Sequence, residues 1–324
     1  MRAAVCRAYG PPETLVVDEL AAPCARAGEA VVYVTAAAVN FTDVLMLQNR
    51  YQLSATPPFV PGSEFAGVVR EVGEGVETLR PGQRVCGVTF VGAFAERIAL
   101  PAASLTVLPD AIDLHAAAAF SVAYGTAYHA LRSAARLQSG ETMVVLGAAG
   151  GVGLAAVELG TVLGARVIAA ASSPEKLSAC RAQGAAEAID YTREPLKDRL
   201  KALTGGRGVD VVFDPVGGPL AEQALRATGW RGRFVCVGFA SGEIPRIPLN
   251  LLLLKGAELR AFNLGPFMAN EPDEMMRNHR ELLDLFFAGR LHPRIDAVYP
   301  LADAARALAH VAGRRAIGKV LVVT

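Results

Sequence analysis

Apolar and polar positions divide the chain into three zones. Up to residue 119, short β-branched segments recur: Val31-Val32-Tyr33-Val34, Ala66-Gly67-Val68-Val69 and Arg84-Val85-Cys86-Gly87-Val88. Pro61-Gly62 and Pro81-Gly82 punctuate them. Runs of this kind, bounded by turn dipeptides, predict a compact all-β domain. From residue 120 to 287 apolar strands alternate with helical spacers, with strands expected at 143–146, 167–170, 188–189, 209–213, 234–238 and 259–262. This alternation predicts a doubly wound parallel sheet, hence an α/β fold class. The tail from about Leu291 returns to strand and turn signals and ends in Lys319-Val320-Leu321-Val322-Val323. It is expected to complete the first domain, giving 1–119 with 288–324 as one domain and 120–287 as an insertion. Stretches 142–157 and 114–131 have the apolarity of membrane spans, but the first is broken by four glycines and the second holds His115, Tyr124, Tyr128 and His129. Both read as buried elements of a globular domain.

The strand at 143–146 runs into Gly147-Ala148-Ala149-Gly150-Gly151-Val152-Gly153, and an Ala/Leu-rich helical pattern follows. In a strand–turn–helix, glycines let the backbone approach a dinucleotide pyrophosphate, and free N–H groups at the helix start point at it. Gly147, Gly150, Gly151, Val152 and Gly153 are therefore candidate cofactor residues. The next strand ends in Ser172-Ser173-Pro174-Glu175-Lys176, and no Asp or Glu lies between Glu158 and Glu175. An NAD-selective domain places an acid here for the ribose hydroxyls. A carboxylate repels a 2′-phosphate, whereas hydroxyls and an ammonium bind it. Ser172, Ser173 and Lys176 therefore favour NADPH, and Lys176 is one of only five lysines among 32 basic residues. Ser173 also fits a helix N-cap, with Pro174 in the first turn. Two more loops at strand ends, Asp214-Pro215-Val216-Gly217-Gly218 and Gly238-Phe239-Ala240-Ser241-Gly242, have the glycines and backbone groups to hold a nicotinamide, or are ordinary turns. Asp214, Gly217, Gly238, Phe239 and Ser241 are candidates on that basis. Such loops are expected to line a cleft between the two domains.

Composition narrows the partners. Net charge of +1 argues against nucleic acid or an anionic membrane as a primary partner. The N-terminus has no apolar signal-like region. Five cysteines are scattered without a Cys-x-x-Cys pair, which suits a reducing cytoplasm and neither a disulfide framework nor structural zinc. The five histidines lie outside the loops above, and no nucleophilic triad or carboxylate pair is apparent.

Val39-Asn40-Phe41-Thr42-Asp43, Pro61-Gly62-Ser63-Glu64-Phe65-Ala66-Gly67, the 147–153 turn, 214–218, Asn250-Leu251-Leu252-Leu253-Leu254-Lys255 and Gly318-Lys319-Val320-Leu321 together resemble the zinc-independent quinone oxidoreductases (zeta-crystallin type) of the medium-chain dehydrogenase/reductase superfamily. The resemblance spans the chain. It implies a GroES-like catalytic domain, a Rossmann domain, NADPH as donor and a homodimer. By the same resemblance, Asn40, Asp43 and Tyr51 serve catalysis, and Thr126, Tyr191, Asn263 and Lys319 contact the cofactor. Asp43 fits a capping role at a helix start equally well. Zinc relatives carry Cys where this chain has Asn40, and Gly-His-Glu where it has Gly62-Ser63-Glu64. Asn and Ser are poor zinc ligands, so no metal is expected. Without a Lewis acid, a quinone or an enone is an easier hydride acceptor than a plain ketone. Reduction of an enoyl thioester, or a non-catalytic NADPH-binding role in regulation or RNA binding, are the alternatives. An apolar edge strand at 259–262 suits sheet pairing across a dimer.

Overall fold

A computed structural model describes all residues, 1–324. The chain forms two compact units, Met1–Val122 with Pro293–Thr324, and Ala123–His292. The sequence places the divisions at 119/120 and 287/288.

The first unit opens with β1 (Arg2–Val5), β2 (Val16–Glu19) and the eleven-residue β3 (Glu29–Val39), followed by helix α1 (Phe41–Leu47). Then come β4 (Glu64–Val72), β5 (Arg84–Val88), β6 (Arg97–Pro101), β7 (Leu105–Val107) and the short helix α2 (Leu114–Ala118). Helix α3 (Ser121–His129) carries the chain across the division and ends in a π-helical turn, Ala130–Ala134.

The second unit alternates strand and helix: β8 (Thr142–Leu146), α4 (Gly151–Val162), β9 (Arg166–Ala171), α5 (Pro174–Ala182), β10 (Glu187–Asp190), α6 (Leu196–Leu203), β11 (Val209–Asp214), α7 (Gly218–Arg226) and β12 (Thr228–Cys236). It continues through α8 (Asn250–Lys255), β13 (Glu258–Ala261), α9 (Leu264–Asn270) and α10 (Pro272–Phe287). The chain returns to the first unit as β14 (Ile295–Pro300), α11 (Ala304–Ala312) and β15 (Lys319–Val323).

In the second unit all six strands pair in parallel, in the order β10-β9-β8-β11-β12-β13. This is the doubly wound sheet predicted from the alternation. The order reverses between β8 and β11, and the loops after Leu146 and Asp214 flank that switch point, where such sheets bind ligands. Val144, Ile168 and Val212 stand in register and bury completely beneath the helices. Strand β12 begins six residues before the apolar run at 234. Its first turn, Gly229-Trp230-Arg231-Gly232, is a bulge in which Val209 faces Thr228 and Val211 faces Arg233, and two glycines around a solvent-facing Trp230 conceal it in the sequence.

The first unit is built around β3, the middle of the path β14-β15-β3-β4-β5-β7, with β6 pairing the outer half of β3. Phe65, Phe94, Leu47, Val320 and Val322 fill its core. It is not purely β: α2 and α11 pack on the sheet, and α1 packs against α11. Gly67 is obligatory here, since a Cβ at this position would lie 1.9 Å from the Tyr33 carbonyl oxygen across the β3–β4 pair. The two span-like stretches resolve into β8 with α4 and into α2 with α3. No helix is long and apolar enough to cross a membrane.

Candidate active site

The turn between β8 and α4 is shaped by close approach. Gly147 has φ +56°, and a Cβ on Gly153 would meet the Gly147 carbonyl oxygen at 2.3 Å and Ala148 Cα at 2.9 Å. Gly150 occupies the N-cap of the twelve-residue α4, and no side chain caps it. The N–H groups of Gly151, Val152 and Gly153 thus lack intrahelical partners and are available to an anion. These observations fit a pyrophosphate cradle.

At the end of β9, Ser173 caps α5 by accepting the Lys176 N–H at 3.3 Å, and Lys176 Nζ reaches Ser172 Oγ at 3.3 Å. Capping and clustering coexist on the same residues. Tyr191 follows β10, its N–H bonded to the Ala171 carbonyl, which sets it beside this cluster. Glu175 bounds the acid-free interval. Its exposed carboxyl is held below the usual range by the Ser173 hydroxyl and its own N–H.

The Asp214 and Gly238 loops zip together. Val237 and Gly238 N–H donate to the Asp214 carbonyl, Ala240 N–H to Pro215, Ser241 N–H to Val216 and Gly218 N–H to Glu243. Asp214 Oδ1 accepts from the Val216 and Gly217 N–H groups at 2.8 and 2.9 Å, so its carboxylate shapes the loop from within. Burial raises its pKa against those two bonds. Phe239 stays partly exposed on the outer loop. Asn263 N-caps α9, accepting from the Gly265 N–H at 3.3 Å, beyond the edge strand β13 and away from the switch point. Thr126 sits half-buried in the middle of α3.

The first unit holds a buried polar cluster. Register places Val39 against Val320 and Ala38 against Glu64, bringing Lys319, Asn40 and Glu64 to one end of the β15-β3-β4 strands. Lys319 Nζ donates to Asn40 Oδ1 at 2.6 Å, Glu64 Oε1 at 2.8 Å and the Val39 carbonyl at 3.3 Å. Three acceptors saturate an ammonium. Lys319, expected beside a nicotinamide, is thus held by Asn40, Glu64 and the Val39 carbonyl. The Asn40 amide donates to Glu64 Oε1 at 2.9 Å and Ser63 Oγ at 3.3 Å. Asp43 at the third position of α1 accepts the Asn40 N–H at 2.7 Å, half of a capping box. Its other oxygen, Oδ1, is buried without a hydrogen-bond partner. Complete burial, the largest effect, lifts the Asp43 carboxyl to about 7. The Asn40 N–H and Lys319 oppose the shift, the Glu64 charge adds to it, and Ser63 opposes it. Tyr51 is half-buried just past Asn49, which takes left-handed backbone at φ +51°. Burial and then the Asp43 charge raise the Tyr51 phenol, so it keeps its proton.

Glu64 is the member the site reading left out. It is fully buried, and its second oxygen accepts the Val122 N–H in the first turn of α3 at 2.7 Å. The available signal was a single acid opening the apolar run Phe65-Ala66-Gly67-Val68-Val69.

Residues 26–110 match the family described as alcohol dehydrogenase GroES-like domain, and residues 151–281 that described as zinc-binding dehydrogenase. A quinone oxidoreductase-like protein 2 homolog of Nematostella vectensis is 39% identical over 326 residues, covering 100% of this chain and 89% of the relative. A quinone oxidoreductase of Pseudomonas aeruginosa is 35% identical, covering 98% and 97%. The crystal structure of Escherichia coli quinone oxidoreductase complexed with NADPH superposes with a TM-score of 0.91 at 30% identity, covering 100% of both chains. With these likenesses running the length of both units, the chain belongs to the zinc-independent quinone oxidoreductase branch of the medium-chain dehydrogenase/reductase superfamily and is an oxidoreductase enzyme.

Proposed function

We propose that this enzyme uses NADPH to reduce a quinone or another conjugated carbonyl by hydride transfer without a metal. The observation that carries the reading is the acid-free end of β9, where Ser172, Ser173 and Lys176 gather. Their hydroxyls and ammonium suit the 2′-phosphate, while the open N–H groups of α4 suit the pyrophosphate. The zipped loops after β11 and β12 offer a rigid backbone surface to a flat ring. When bound, NADPH supplies the hydride. Tyr51, with its proton held, is the hydrogen-bond donor for the acceptor oxygen. Asn40 is buried and held by Lys319 and Glu64, and Asp43 is buried where it accepts the Asn40 N–H, so the two set the shape and charge of the acceptor's surroundings. The chemistry of the donors supports a metal-free reaction: Asn40 and Ser63 are poor zinc ligands, and the cation in the Asn40 cluster is the Lys319 ammonium. All five cysteines are unpaired, in keeping with a cytoplasmic setting.

Steady-state rates with NADPH and NADH, against quinones, enones, enoyl thioesters and alcohols, with and without a chelator, test this reading. The expected result is NADPH-dependent turnover of quinones or enones that ignores the chelator. Chelator-sensitive turnover, or preferred reduction of enoyl thioesters, would replace the reading. Lys176→Glu is expected to weaken NADPH at least tenfold, about 1.4 kcal/mol, with NADH nearly unaffected. Equal losses for both cofactors would remove Lys176 from the 2′-phosphate.

The same reading includes a homodimer through β13. This strand is the free edge of the six-stranded sheet. Leu259 on it is exposed, as are Trp230, Leu249, Leu253 and Leu254, the last two at 81% and 70%. An apolar surface of this kind marks an association face. The edge itself alternates Glu258 and Arg260 with Leu259, so pairing there combines charge with apolar contact. Light scattering on the eluting protein is expected to give twice the chain mass, and Leu253→Glu with Leu254→Glu to give the monomer.

A further inference from the structure

Glu158 stands in the interior of α4, the helix that opens at the glycine turn, and its carboxylate is almost wholly buried. No lysine or arginine pairs with it. Two donors and an imidazole hold it instead. The Tyr124 hydroxyl donates to Oε2 at 2.5 Å, and the His292 N–H is shared between both oxygens at 3.0 and 3.1 Å. His292 Nδ1 lies 3.2 Å from Oε1.

The position of these donors in the chain is informative. The division between the units falls after Val122 and after His292. Tyr124 is thus the second residue of the nucleotide unit and His292 the last. Both covalent crossings between the units are fastened to one carboxylate on the phosphate helix. The exit is fastened again by Gln183 at the end of α5, whose amide donates to the His292 carbonyl at 3.1 Å. On the entry side, Val122, two residues before Tyr124, donates its N–H to Glu64, the residue that holds Asn40 and Lys319.

A buried carboxylate compensated only by hydrogen bonds responds steeply to losing one of them, because the charge left behind is uncompensated. We propose that Glu158 is a positioning residue that couples occupancy of the α4 phosphate turn to the order of both chain crossings, and through Val122 and Glu64 to the orientation of Asn40. The coupling to occupancy rests on the NADPH reading above. The fastening of the crossings does not. A ligand that steadies α4 steadies the carboxylate, and both crossings are steadied with it.

Hydrogen–deuterium exchange on the full chain, with and without NADPH, tests this on wild type, Glu158→Gln and Tyr124→Phe. Tyr124→Phe keeps the carboxylate and deletes one donor, so the test stands if Glu158→Gln folds poorly. Without cofactor, both variants are expected to exchange at least about threefold faster in segments 121–126 and 290–294. NADPH is expected to slow exchange there in wild type and much less in the variants. NADPH affinity should stay within about threefold, with the kinetic loss falling on kcat rather than on KM. Unchanged cofactor-free exchange at the crossings in both variants overturns the latch, whatever NADPH does. Wild type that binds NADPH without protecting its crossings overturns the coupling. Wild type that fails to bind NADPH overturns the cofactor assignment instead, and the cofactor-free comparison still decides the latch.

Discussion

Lys319→Met is expected to lower the thermal midpoint by on the order of 10 °C. Lys319 and Glu64 form an ion pair at 2.8 Å with side chains 5% and 0% exposed. Methionine fills a similar volume but leaves the Glu64 carboxylate with only the Asn40 amide and the Val122 N–H. Removing one partner of a buried pair costs about 3–5 kcal/mol, because the remaining charge stays desolvated. Replacing both partners is far cheaper. Glu64→Gln in the Lys319→Met background still accepts from Val122 and carries no charge, so the double variant is expected to recover most of the loss. Thermal unfolding of the two single variants and the double gives the coupling directly. A double variant no more stable than Lys319→Met would show that the cost is lost packing rather than an orphaned charge. The same substitution frees Asn40 Oδ1, so any residual turnover is expected to fall in kcat.

The cluster behind this prediction was the least legible part of the chain. Lys319 is 279 residues from Asn40 and 255 from Glu64. They meet only because β15 and β4 both pair with β3 in one particular register, and no local pattern encodes that. Motif resemblance brought Asn40 and Lys319 forward separately, but not the Glu64 carboxylate that links them. Glu158, Tyr124 and His292 were hidden for the same reason, being 34 and 134 residues apart. The parallel sheet was legible because its central strands, β8 and β9 above all, are buried on both faces and appear as apolar runs. The glycine turn was legible because the backbone itself demands the residue: positive φ at Gly147, and no room for a Cβ at Gly153. Ser172, Ser173 and Lys176 were legible because they lie within five residues, on the cap and first turn of one helix. Asp214 shows the limit of reading a loop by composition. Its position at the switch point was apparent, whereas the inward use of its carboxylate appears only in the hydrogen bonds it accepts.

Asp43 should make the molecule lose stability as pH rises from about 4 to 7, a loss that Asp43→Asn lacks. Burial, ahead of every other influence, raises its carboxyl from 3.8 to about 7. The folded state therefore binds the Asp43 proton more tightly than the unfolded chain does. The stability this contributes is fully present below about pH 4 and is lost as pH rises through 7. At about 1.4 kcal/mol per pH unit, the whole effect is roughly 4 kcal/mol, of which about 2–3 kcal/mol falls between pH 5 and pH 9. Asparagine keeps an oxygen to accept the Asn40 N–H, and its NH2 replaces an oxygen that already has no partner. The variant is expected to match wild type near pH 4, to be modestly more stable at pH 5 and to exceed it at pH 9 by several degrees in thermal midpoint. Wild type and Asp43→Asn losing stability in parallel across that range would mean that Asp43 is ionised in the folded protein throughout, its charge met by Lys319. If the divergence does appear, an acid of this strength acts on Tyr51 through its charge, and the pH profile of kcat is the place to look for its proton.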